Sequence, residues 1–287
     1  MAESRDAWLV TGARGMLGTD LVDVLAAAGE RVTALGRSEL DILDAAAVRD
    51  AVAGHDVVVN CAAWTAVDDA EAHEDAARAI NTTGAGNVAA AAAAHGARVV
   101  HVSTDYVFDG TATTPYAEDE PARPRSAYGR TKAEGERLVR EAAVDHLILR
   151  TAWLYGAHGT CFPRTIARLA RERGTVSVVA DQVGQPTWTR DVADLVLRLV
   201  RAGADAGTYH ATSSGSASWF EFARAVVVGV GLDPDVVTPT TSEAFVRPAP
   251  RPAFSVLGHE ALLRAGVAPI GPWGERWDVA APEVLRG

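Results

Sequence analysis

A tyrosine and a lysine four residues apart are the first pair in this chain whose types and spacing could do chemistry. On a helix, Tyr128-Gly129-Arg130-Thr131-Lys132 places both side chains on one face, with their Cβ atoms about 5–6 Å apart. An ammonium beside a phenol stabilises the phenolate, so we expect it to lower the pKa of Tyr128 from its ordinary value of about 10. Such a tyrosine can exchange a proton near neutral pH. Because this spacing also occurs by chance on helix surfaces, its place in the fold must decide.

Hydroxyl groups follow the predicted strand Arg98–Ser103. Ser103-Thr104-Asp105-Tyr106 lies at the carboxyl end of that strand, where ligands bind in open parallel sheets. The hydroxyl of Thr104 or Ser103 could donate a hydrogen bond to a substrate carbonyl. The alternative is a polar turn that caps local structure. His101, within the strand, is interpreted as a buried histidine with satisfied hydrogen bonds rather than as a base.

A glycine-rich turn near the start of the chain indicates a dinucleotide site. Thr11-Gly12-Ala13-Arg14-Gly15-Met16-Leu17-Gly18 follows the first predicted strand and opens the first predicted helix. Glycines let the backbone approach a pyrophosphate, whose charge the amides of the helix N-terminus stabilise. A helix-capping turn is the alternative, but the strand–turn–helix context that the dinucleotide motif requires is present.

The end of the second predicted strand bears on the choice between NAD(H) and NADP(H). Enzymes selective for NAD usually carry an acid there that accepts the ribose 2′-hydroxyl. This chain has Gly36-Arg37-Ser38 instead. Arg14 and Arg37 could meet around a 2′-phosphate, since guanidinium groups pair well with phosphate; the alternative is two solvated arginines. We expect NADPH to be favoured, with NADH still open, and Asp41 to lie beside the adenine.

Short strands rich in Val and Leu alternate with Ala-rich helices. The predicted strands are Ala7–Thr11, Arg31–Leu35, Asp56–Asn60, Arg98–Ser103, His146–Thr151 and Gly207–Ala211, and the predicted helices include one ending at Ala28, Ala45–Ala53, Ala76–His95, Cys161–Arg173, Arg190–Arg201 and Ser218–Gly229. Apolar strands separated by helices indicate a parallel sheet buried on both faces. With right-handed crossovers this is a Rossmann-type, doubly wound α/β fold.

The second half of the chain is less regular and richer in proline-containing loops. We expect residues 1–155 to form the dinucleotide-binding domain, with a return strand near residues 181–212. Residues 156–180 and 213–287 are expected to form a smaller C-terminal substrate-binding lobe, lying over the carboxyl edge of the sheet.

The composition excludes several classes of protein. The 287 residues are 48% hydrophobic and 22% charged, which is typical of a globular chain. A net charge of −10 disfavours nucleic-acid and anionic membrane surfaces as partners, and no apolar run is long enough to span a bilayer. Met1-Ala2-Glu3-Ser4-Arg5-Asp6 lacks the apolar core of a signal peptide, and Cys61 and Cys161 have neither metal nor disulfide spacing. We expect a cytoplasmic protein with reduced thiols.

The tyrosine, lysine and hydroxyl motifs together resemble those of the extended short-chain dehydrogenase/reductases, and narrower runs resemble the dTDP-4-dehydrorhamnose reductase family. These runs are Asn60-Cys61-Ala62-Ala63-Trp64-Thr65-Ala66-Val67-Asp68, Ser103-Thr104-Asp105-Tyr106-Val107-Phe108-Asp109-Gly110, Arg150-Thr151-Ala152-Trp153-Leu154-Tyr155-Gly156 and Asp181-Gln182-Val183-Gly184-Gln185-Pro186-Thr187. The resemblance covers nearly the whole chain, more loosely in its last part. It implies NADPH-dependent reduction of the C4 ketone of a dTDP-4-keto-6-deoxysugar.

The resemblance also implies roles for the matching residues. Tyr128 would be the general acid, Lys132 its electrostatic partner and ribose ligand, and Thr104 the hydrogen-bond donor to the sugar carbonyl. Asp105 and Trp153 would contact the substrate, although Trp153 could also be an ordinary core aromatic residue. With the motif residues named above, the cofactor site would comprise Gly12, Arg14, Gly15, Met16, Leu17, Gly18, Arg37, Asp41, Ile42, Ala62, Ala63, Thr65, Val102, Tyr128 and Lys132.

Two positions depart from the family pattern. Cys61 stands where most relatives have alanine, and we expect its thiol to be inert. Some members bind magnesium across a dimer interface through acidic residues, one of them just before the residue that matches Asp191. Arg190 stands at that position here, so we expect no metal, and both monomer and homodimer stay open.

Two other functions stay open from the sequence. Nucleotide-sugar dehydratases and epimerases share the fold and the Tyr/Lys pair, but dehydratases carry Thr-Asp-Glu where this chain has Thr104-Asp105-Tyr106. A related branch binds NADP and a partner protein as a regulatory subunit without turnover. The sequence decides neither which deoxysugar is reduced nor whether Arg247 and Arg251 bind its diphosphate.

Overall fold

The computed structural model describes residues 6–286, so the N-terminal run from Met1 to Arg5 interpreted above, and Gly287, lie outside it. Its helices are α1 (Met16–Ala27), α2 (Ala45–Val52), α3 (Val67–Ala72), α4 (Glu74–Arg78), α5 (Ala85–His95), α6 (Ala127–Ala142), α7 (Phe162–Arg173), α8 (Thr189–Arg201), α9 (Trp219–Gly229), α10 (Glu260–Arg264) and α11 (Trp273–Val284). Its strands are β1 (Ala7–Thr11), β2 (Arg31–Leu35), β3 (Val57–Asn60), β4 (Arg98–Thr104), β5 (His146–Thr151), β6 (Leu154–Tyr155), β7 (Val176–Val179), β8 (Val183–Gly184), β9 (Thr187–Trp188), β10 (Gly207–His210), β11 (Ser213–Ser214), β12 (Ala217–Ser218), β13 (Val237–Thr240) and β14 (Ile270–Pro272). No helix between residues 6 and 286 combines the length and apolar character that a membrane crossing requires.

Six parallel strands form the central sheet, in the order β10-β5-β4-β3-β1-β2. All six predicted strands are confirmed, with ends that differ by one residue at most. The chain leaves β1 toward β2 on one side and continues through β3, β4 and β5 on the other. The strand order therefore reverses beside β1, where the glycine turn lies, which is where doubly wound folds bind nucleotides. The predicted Rossmann-type fold is confirmed.

Helices cover both faces of the sheet because alternate strand residues point to opposite sides. Trp8 and Val10 of β1 join a core with Leu21 of α1 and Val196 of α8. Leu9, between them in sequence, joins a second core on the other face, which α2, α5 and α6 cover. Both faces of the central sheet are therefore buried, as the nearly continuous apolar strands predict.

A third apolar core lies among α7, α9 and α11, around Phe222 and Trp277. Four short strand pairs accompany it, namely β7 with β13, β6 with β9, β8 with β12 and β11 with β14. α8 and the segment from Ala261 to Ile270 pack with the sheet instead. The predicted division of the chain near residue 155 stays a prediction.

The predicted helix Ala76–His95 is present but interrupted. Between α4 and α5, the segment Ala79–Gly84 is π-helical. Asn81 in this segment donates to Thr131 Oγ1 (3.1 Å), and the Thr82 hydroxyl donates to the Thr131 carbonyl (2.8 Å), which ties the segment to α6. The hydrophobic periodicity of the sequence does not reveal a π-helical turn, because this turn adds only a single residue to an otherwise regular helix.

The close approach of α6 to the π-helical segment predicts a stability effect at Gly135. A Cβ there would lie 2.1 Å from the carbonyl oxygen of Asn81, which is backbone and cannot swing aside. We expect Gly135→Ala to lower the free energy of unfolding by about 1–3 kcal/mol, as overpacking does, measured by urea denaturation. The matched control is Gly274→Ala in α11, where a Cβ meets no described atom within 4 Å. Equal stability of the two variants would contradict the close approach.

Candidate active site

The glycine turn between β1 and α1 has the geometry that a pyrophosphate requires. Gly12 has φ +66°, and a Cβ there would lie 2.6 Å from the Ala62 amide nitrogen. A Cβ at Gly18 would lie 2.4 Å from the carbonyl oxygen of Gly12, so α1 can approach the turn only with glycine there. Gly15 caps α1, and a Cβ there would meet one described atom, Gly12 O at 3.3 Å. The three glycines thus serve turning, ligand approach and helix packing. Leu17 is buried in the core, so its expected contact is through its backbone.

An acid occupies the end of β2, where the sequence interpretation found none. Glu39 folds back so that its carboxylate accepts hydrogen bonds from the Gly36 amide (2.6 Å) and from Arg14 Nη2 (2.8 Å). Arg14 is therefore engaged by a carboxylate, while Arg37 is exposed nearby. The turn that follows β2 is the feature that could have indicated the position of Glu39, because the Glu39 amide donates a hydrogen bond to the carbonyl of Gly36 (3.0 Å).

Asp41 and Ile42, the two residues expected beside the adenosine, come next in the chain after this turn. Asp41 is exposed and accepts a hydrogen bond from the Leu43 amide (3.0 Å). The side chain of Ile42 is buried in the core against Gly84, where a Cβ would lie 2.5 Å from it. A cofactor contact at Ile42 would therefore involve its backbone, and both contacts stay predictions.

The loop after β3 carries three further predicted cofactor contacts, Ala62, Ala63 and Thr65. Asn81 holds this loop in place: its Oδ1 accepts from the Trp64 amide (2.8 Å) and its Nδ2 donates to the Trp64 carbonyl (3.1 Å). Sequence reasoning missed Asn81, which lies on a helix that looks like ordinary alanine-rich structure. Its 1% exposure shows that this amide is a structural anchor for the loop.

Thr104 and Asp105 lie side by side where β4 ends. The Thr104 hydroxyl donates to Asp105 Oδ1 (3.0 Å) and accepts from the Tyr106 amide (3.2 Å). Burial raises the pKa of Asp105 to about 6, partly opposed by the nearby hydroxyls of Ser255 and Thr104. Thr104 thus caps the turn, as the alternative interpretation held, and its role toward a carbonyl stays a prediction.

Tyr128 stands in the first turn of α6, as the sequence predicts. Ser126 caps the helix by accepting a hydrogen bond from the Gly129 amide (3.1 Å). A Cβ at Gly129 would lie 2.2 Å from the Tyr106 carbonyl oxygen, so glycine lets α6 begin against the turn after β4. The rings of Tyr106 and Tyr128 meet edge to face, with centroids 5.6 Å apart. The phenol is thereby brought near Thr104, whose hydroxyl acts to lower the pKa of Tyr128.

The predicted lowering of the Tyr128 pKa is wrong. Burial raises the pKa of Tyr128 to about 12, and the hydrogen bond with Thr104 opposes this only in part. The Lys132 amine is engaged by the sheet: Nζ donates to the carbonyl of Val102 (2.6 Å) and lies 3.3 Å from His101 Nε2. Burial lowers the pKa of Lys132 to about 8. The four-residue spacing places the two side chains on one face but does not show how deeply that face is buried.

A buried ion network continues along α6 from Lys132. Glu136, one helical turn later, accepts hydrogen bonds from Arg150 Nε (3.0 Å), Arg140 Nη2 (2.7 Å) and the Ser103 hydroxyl (2.6 Å). Burial alone would raise the pKa of Glu136, but its hydrogen bonds and the charge of Arg150 lower it to about 2. Glu136 is therefore an anion at neutral pH. Its spacing from Lys132 was visible in the sequence, although its burial was not.

Trp153 lies after β5 in a constrained conformation. It is the one non-glycine residue of the range 6–286 with positive φ, at +48°. Its indole stacks on Trp219 with centroids 3.6 Å apart, and a Cβ at Gly184 would lie 2.5 Å from the ring. The ring is therefore held by later parts of the chain. Sequence reasoning missed Trp219, and the substrate contact of Trp153 stays a prediction.

Arg247 and Arg251, the open candidates for a diphosphate, both bind a carboxylate. Asp68 of α3 accepts hydrogen bonds from Arg247 Nε (3.0 Å), from both ends of the Arg251 guanidinium and from the Ala249 amide (3.1 Å). Burial acts in the opposite direction, but these hydrogen bonds hold the pKa of Asp68 well below its usual range. The loop 247–251 is thereby tied to the helix that follows the cofactor loop.

An ion pair occupies the segment that the sequence analysis considered for a metal. Asp191 accepts hydrogen bonds from Arg276 Nε (2.8 Å) and Nη2 (2.7 Å), and Arg190 precedes it. In the described part of the chain, no three His, Cys, Asp or Glu side chains are grouped so as to hold a metal ion.

Comparison with known proteins identifies relatives over the whole described length. A family model described as RmlD substrate binding domain matches residues 7–284. The chain is 51% identical over 276 residues to a dTDP-4-dehydrorhamnose reductase of Streptomyces griseus, covering 94% of this chain and 91% of the relative. It is 50% identical over 281 residues to a probable dTDP-4,6-dihydroxy-2-methyloxan-3-one 4-ketoreductase of Streptomyces antibioticus, covering 97% and 95%.

A solved structure agrees with the sequence relatives. The crystal structure of dTDP-4-dehydrorhamnose reductase from Bacillus anthracis, in complex with NADP, is 36% identical and superposes with a TM-score of 0.94, covering 98% of this chain and 100% of that one. The fold and the order of the motifs agree with one family. Relatives that are about 50% identical to this chain, and that align with it over nearly their whole length, point to the same family. The chain belongs to the dTDP-4-dehydrorhamnose reductase family.

Proposed function

We propose that this chain catalyses NADPH-dependent reduction of the C4 ketone of a dTDP-4-keto-6-deoxysugar, with Tyr128 as general acid. The observation that carries the proposal is the meeting of Thr104 and Tyr128, with Lys132 one turn along the same helix, at the carboxyl edge where the glycine turn lies. The reductase names of the relatives and the NADP in the Bacillus anthracis structure support it.

The residues at the sheet edge fit a nicotinamide dinucleotide. Gly12 and Gly18 let the turn and α1 approach the neighbouring backbone, and Gly15, at the N-terminus of α1, would let a diphosphate approach the helix amides. The backbone around Ala62 and Val102 would line the rest of the cofactor, and Lys132 would hold its ribose. When bound, the reduced nicotinamide supplies the hydride, and the protein supplies orientation and a proton.

Tyr128 carries a proton that it could give. With a pKa of about 12 it is a neutral phenol at pH 7, the protonated form that a reduction needs, but a weaker acid than a tyrosine whose pKa lies near neutrality. The Thr104 hydroxyl, whose hydrogen is donated to Asp105 Oδ1, would turn that hydrogen to the ketone oxygen as negative charge develops there. Asp105 and Trp153 would orient the sugar from either side of Thr104.

The residue after Asp105 argues against elimination chemistry. Tyr106 packs its ring edge-on against Tyr128, and burial raises its pKa above the ordinary value. A neutral, packed phenol cannot replace the carboxylate that dehydratases carry at this position. The intact set of Thr104, Tyr128 and Lys132 speaks only weakly against a regulatory subunit without turnover, since retained residues need not be used, so an activity assay must separate that alternative.

The proposed function predicts consumption of NADPH with dTDP-4-keto-6-deoxysugars. In a panel of such substrates, the wild-type protein should oxidise NADPH in proportion to ketone added, with product stereochemistry read by NMR. Tyr128→Phe removes the proton donor but keeps the ring, so kcat should fall roughly 10²–10⁴-fold. Tyr209→Phe is the matched control, because its hydroxyl donates to the Asp205 carbonyl on the far edge of the sheet.

Three outcomes would contradict this proposal. Near-normal turnover in Tyr128→Phe would remove Tyr128 as the acid. Tight NADP binding without any NADPH oxidation, across the whole panel, would favour the regulatory alternative. Turnover that keeps NAD tightly bound and consumes no NADPH would indicate an epimerase or dehydratase instead.

The burial of Lys132 predicts a limit to activity at high pH. Its pKa is lowered to about 8, so the ammonium is present below that value and lost as pH rises through it. Because a phenolate left on Tyr128 is stabilised by a nearby cation, kcat for ketone reduction should decline above about pH 8. A pH–rate profile in overlapping buffers measures this, and a rate that stays flat to about pH 10 would contradict it.

Glu39 predicts a change in cofactor preference. A 2′-phosphate must share the end of β2 with the Glu39 carboxylate, which already engages Arg14. Glu39→Gln removes this negative charge and frees the guanidinium, so the Kd of NADP⁺ should fall roughly threefold to tenfold at low salt, and less at high salt. NAD⁺ has a free ribose 2′-hydroxyl that can donate a hydrogen bond to a carboxylate, so NAD⁺ should bind Glu39→Gln no better than it binds the wild-type protein.

Isothermal titration with both nucleotides measures this effect without turnover. Asp50→Asn is the control, since it removes the same charge from an exposed site on α2. If Glu39→Gln and Asp50→Asn change NADP⁺ binding equally, the effect is one of net charge, and Glu39 does not discriminate between the cofactors.

A further inference from the structure

Three polar side chains form a row across the sheet behind Lys132. Thr11, Asn60 and His101 occupy partnered positions on β1, β3 and β4. Thr11 Oγ1 donates to Asn60 Oδ1 (2.7 Å), Asn60 Nδ2 lies 3.2 Å from His101 Nδ1, and His101 Nε2 lies 3.3 Å from Lys132 Nζ. All four residues are at most 2% exposed. Their polar atoms must therefore find hydrogen-bond partners within the protein.

The contacts within the row determine which ring nitrogen of His101 carries the hydrogen. Asn60 Oδ1 also accepts from the Ala62 amide (3.2 Å), so the other end of this side chain, Nδ2, is the donor toward His101. Nδ1 of His101 is then the acceptor. Burial, together with the charge of Lys132, lowers the pKa of His101 well below its ordinary value, so the ring is neutral. In a neutral imidazole with Nδ1 accepting, the hydrogen is on Nε2, which faces the lysine.

We propose that His101 is a positioning residue for Lys132: its fixed Nε2–H group directs the amine onto the carbonyl of Val102 and opposes the protonated form of the lysine. Nζ donates to Val102 O at 2.6 Å. Toward His101, an ammonium presents a donor to a donor, whereas a neutral amine accepts the Nε2 hydrogen. The neutral amine is therefore favoured by this contact, in addition to its burial.

Other ionisable groups face the same pair and act in known directions. Burial lowers the pKa of Lys132, and the carboxylate of Glu136 acts to raise it. For His101, Glu136 acts to raise the pKa and Arg140 to lower it. Burial raises the pKa of the Cys61 thiol to about 12, so it is neutral. Among these groups His101 is the one in direct contact with the amine through a hydrogen of fixed position.

The row holds Lys132 and does not conduct protons. A proton that moved beyond His101 would have to cross Asn60, and a carboxamide cannot relay a proton without changing its tautomer. The far end, Thr11, is 1% exposed and offers no exit to solvent. The row instead fixes an orientation. Its two hydrogen bonds, between Thr11 and Asn60 and between Asn60 and His101, hold the imidazole ring that contacts Lys132.

The first test reads the His101 tautomer directly and needs no activity. Long-range ¹H–¹⁵N NMR spectra of the unliganded, ¹⁵N-histidine-labelled protein distinguish the two neutral tautomers. The chain has eight histidines, and the signals missing from His101→Phe identify His101. We expect a neutral Nε2–H ring from about pH 6 to about pH 9. An Nδ1–H ring, or one that titrates in this range, would overturn the proposal whatever the reaction is.

The second test uses the pH–rate profile and rests on the proposed reductase function. His101→Phe removes the opposing hydrogen, so the high-pH decline should move upward by about one unit, a tenfold change in proton affinity. Thr11→Val, which does not touch Lys132, should move it in the same direction by less, since Asn60 loses one of the two donors that orient it. If His101→Phe does not fold, His101→Gln serves, because its amide oxygen can turn to the ammonium and the decline should again move upward.

A control separates this effect from packing. His146→Gln alters a histidine at the amino end of β5, whose ring contacts the Ala143 carbonyl, and should leave the profile in place. A lower rate in His101→Phe with the decline unmoved would show a packing role only and overturn the proposal. If the wild-type protein has no reductase activity at all, the NMR result still decides the tautomer, so the two failures are distinguishable.

Discussion

A lysine amine buried at the carboxyl edge of the sheet constrains the polar structure around it. Lys132 is 2% exposed, and an ammonium there has lost its hydration, which costs several kcal/mol unless fixed dipoles and charges replace it. The Val102 carbonyl accepts a hydrogen bond from the amine, and the charge of the Glu136 carboxylate, one helical turn away, acts to raise the pKa of Lys132. Glu136 is itself buried and is held by Arg150, Arg140 and Ser103. Two buried groups of opposite charge thus lie one turn apart on α6, each with its own polar partners.

Strand register is what brings these groups together. Thr104 is partnered with Thr151, and His101 with both Asn60 and Ile148, so the polar residues of four strands end at one edge. Because side chains alternate between faces, a slip of one residue in β4 would turn His101 and Ser103 away from their partners Lys132 and Glu136 on α6. Val99 and Val100 of the same strand are buried in the cores on opposite faces of the sheet, which makes such a slip costly. The hydrophobic core therefore sets the geometry of the polar site.

The sequence predicted what local pattern encodes. Strands, glycine turn and the Tyr128–Lys132 spacing each depend on residues close together in the chain, and all were found where expected. The direction of the Tyr128 pKa was missed because burial, which dominates it, depends on segments far away. Glu39 was missed because a turn folds it back, and Trp219 because only tertiary packing stacks it on Trp153. Contacts across long sequence separations leave no periodic signal.

The motif residues do not decide which sugar this chain would bind. Relatives of about equal identity carry the names of reductases for different sugars, so motif residues shared across the family cannot decide which sugar is bound. The loop 247–251 is held by Asp68 through two arginines and an amide, donors that suit a diphosphate as well as a carboxylate. A nucleotide-sugar would have to compete with Asp68 for these donors or extend the cluster. The strands and α6 thus carry the residues of the proposed proton chemistry, while ion pairs with Asp68 hold the loop 247–251, whose arginines stay open candidates for a diphosphate.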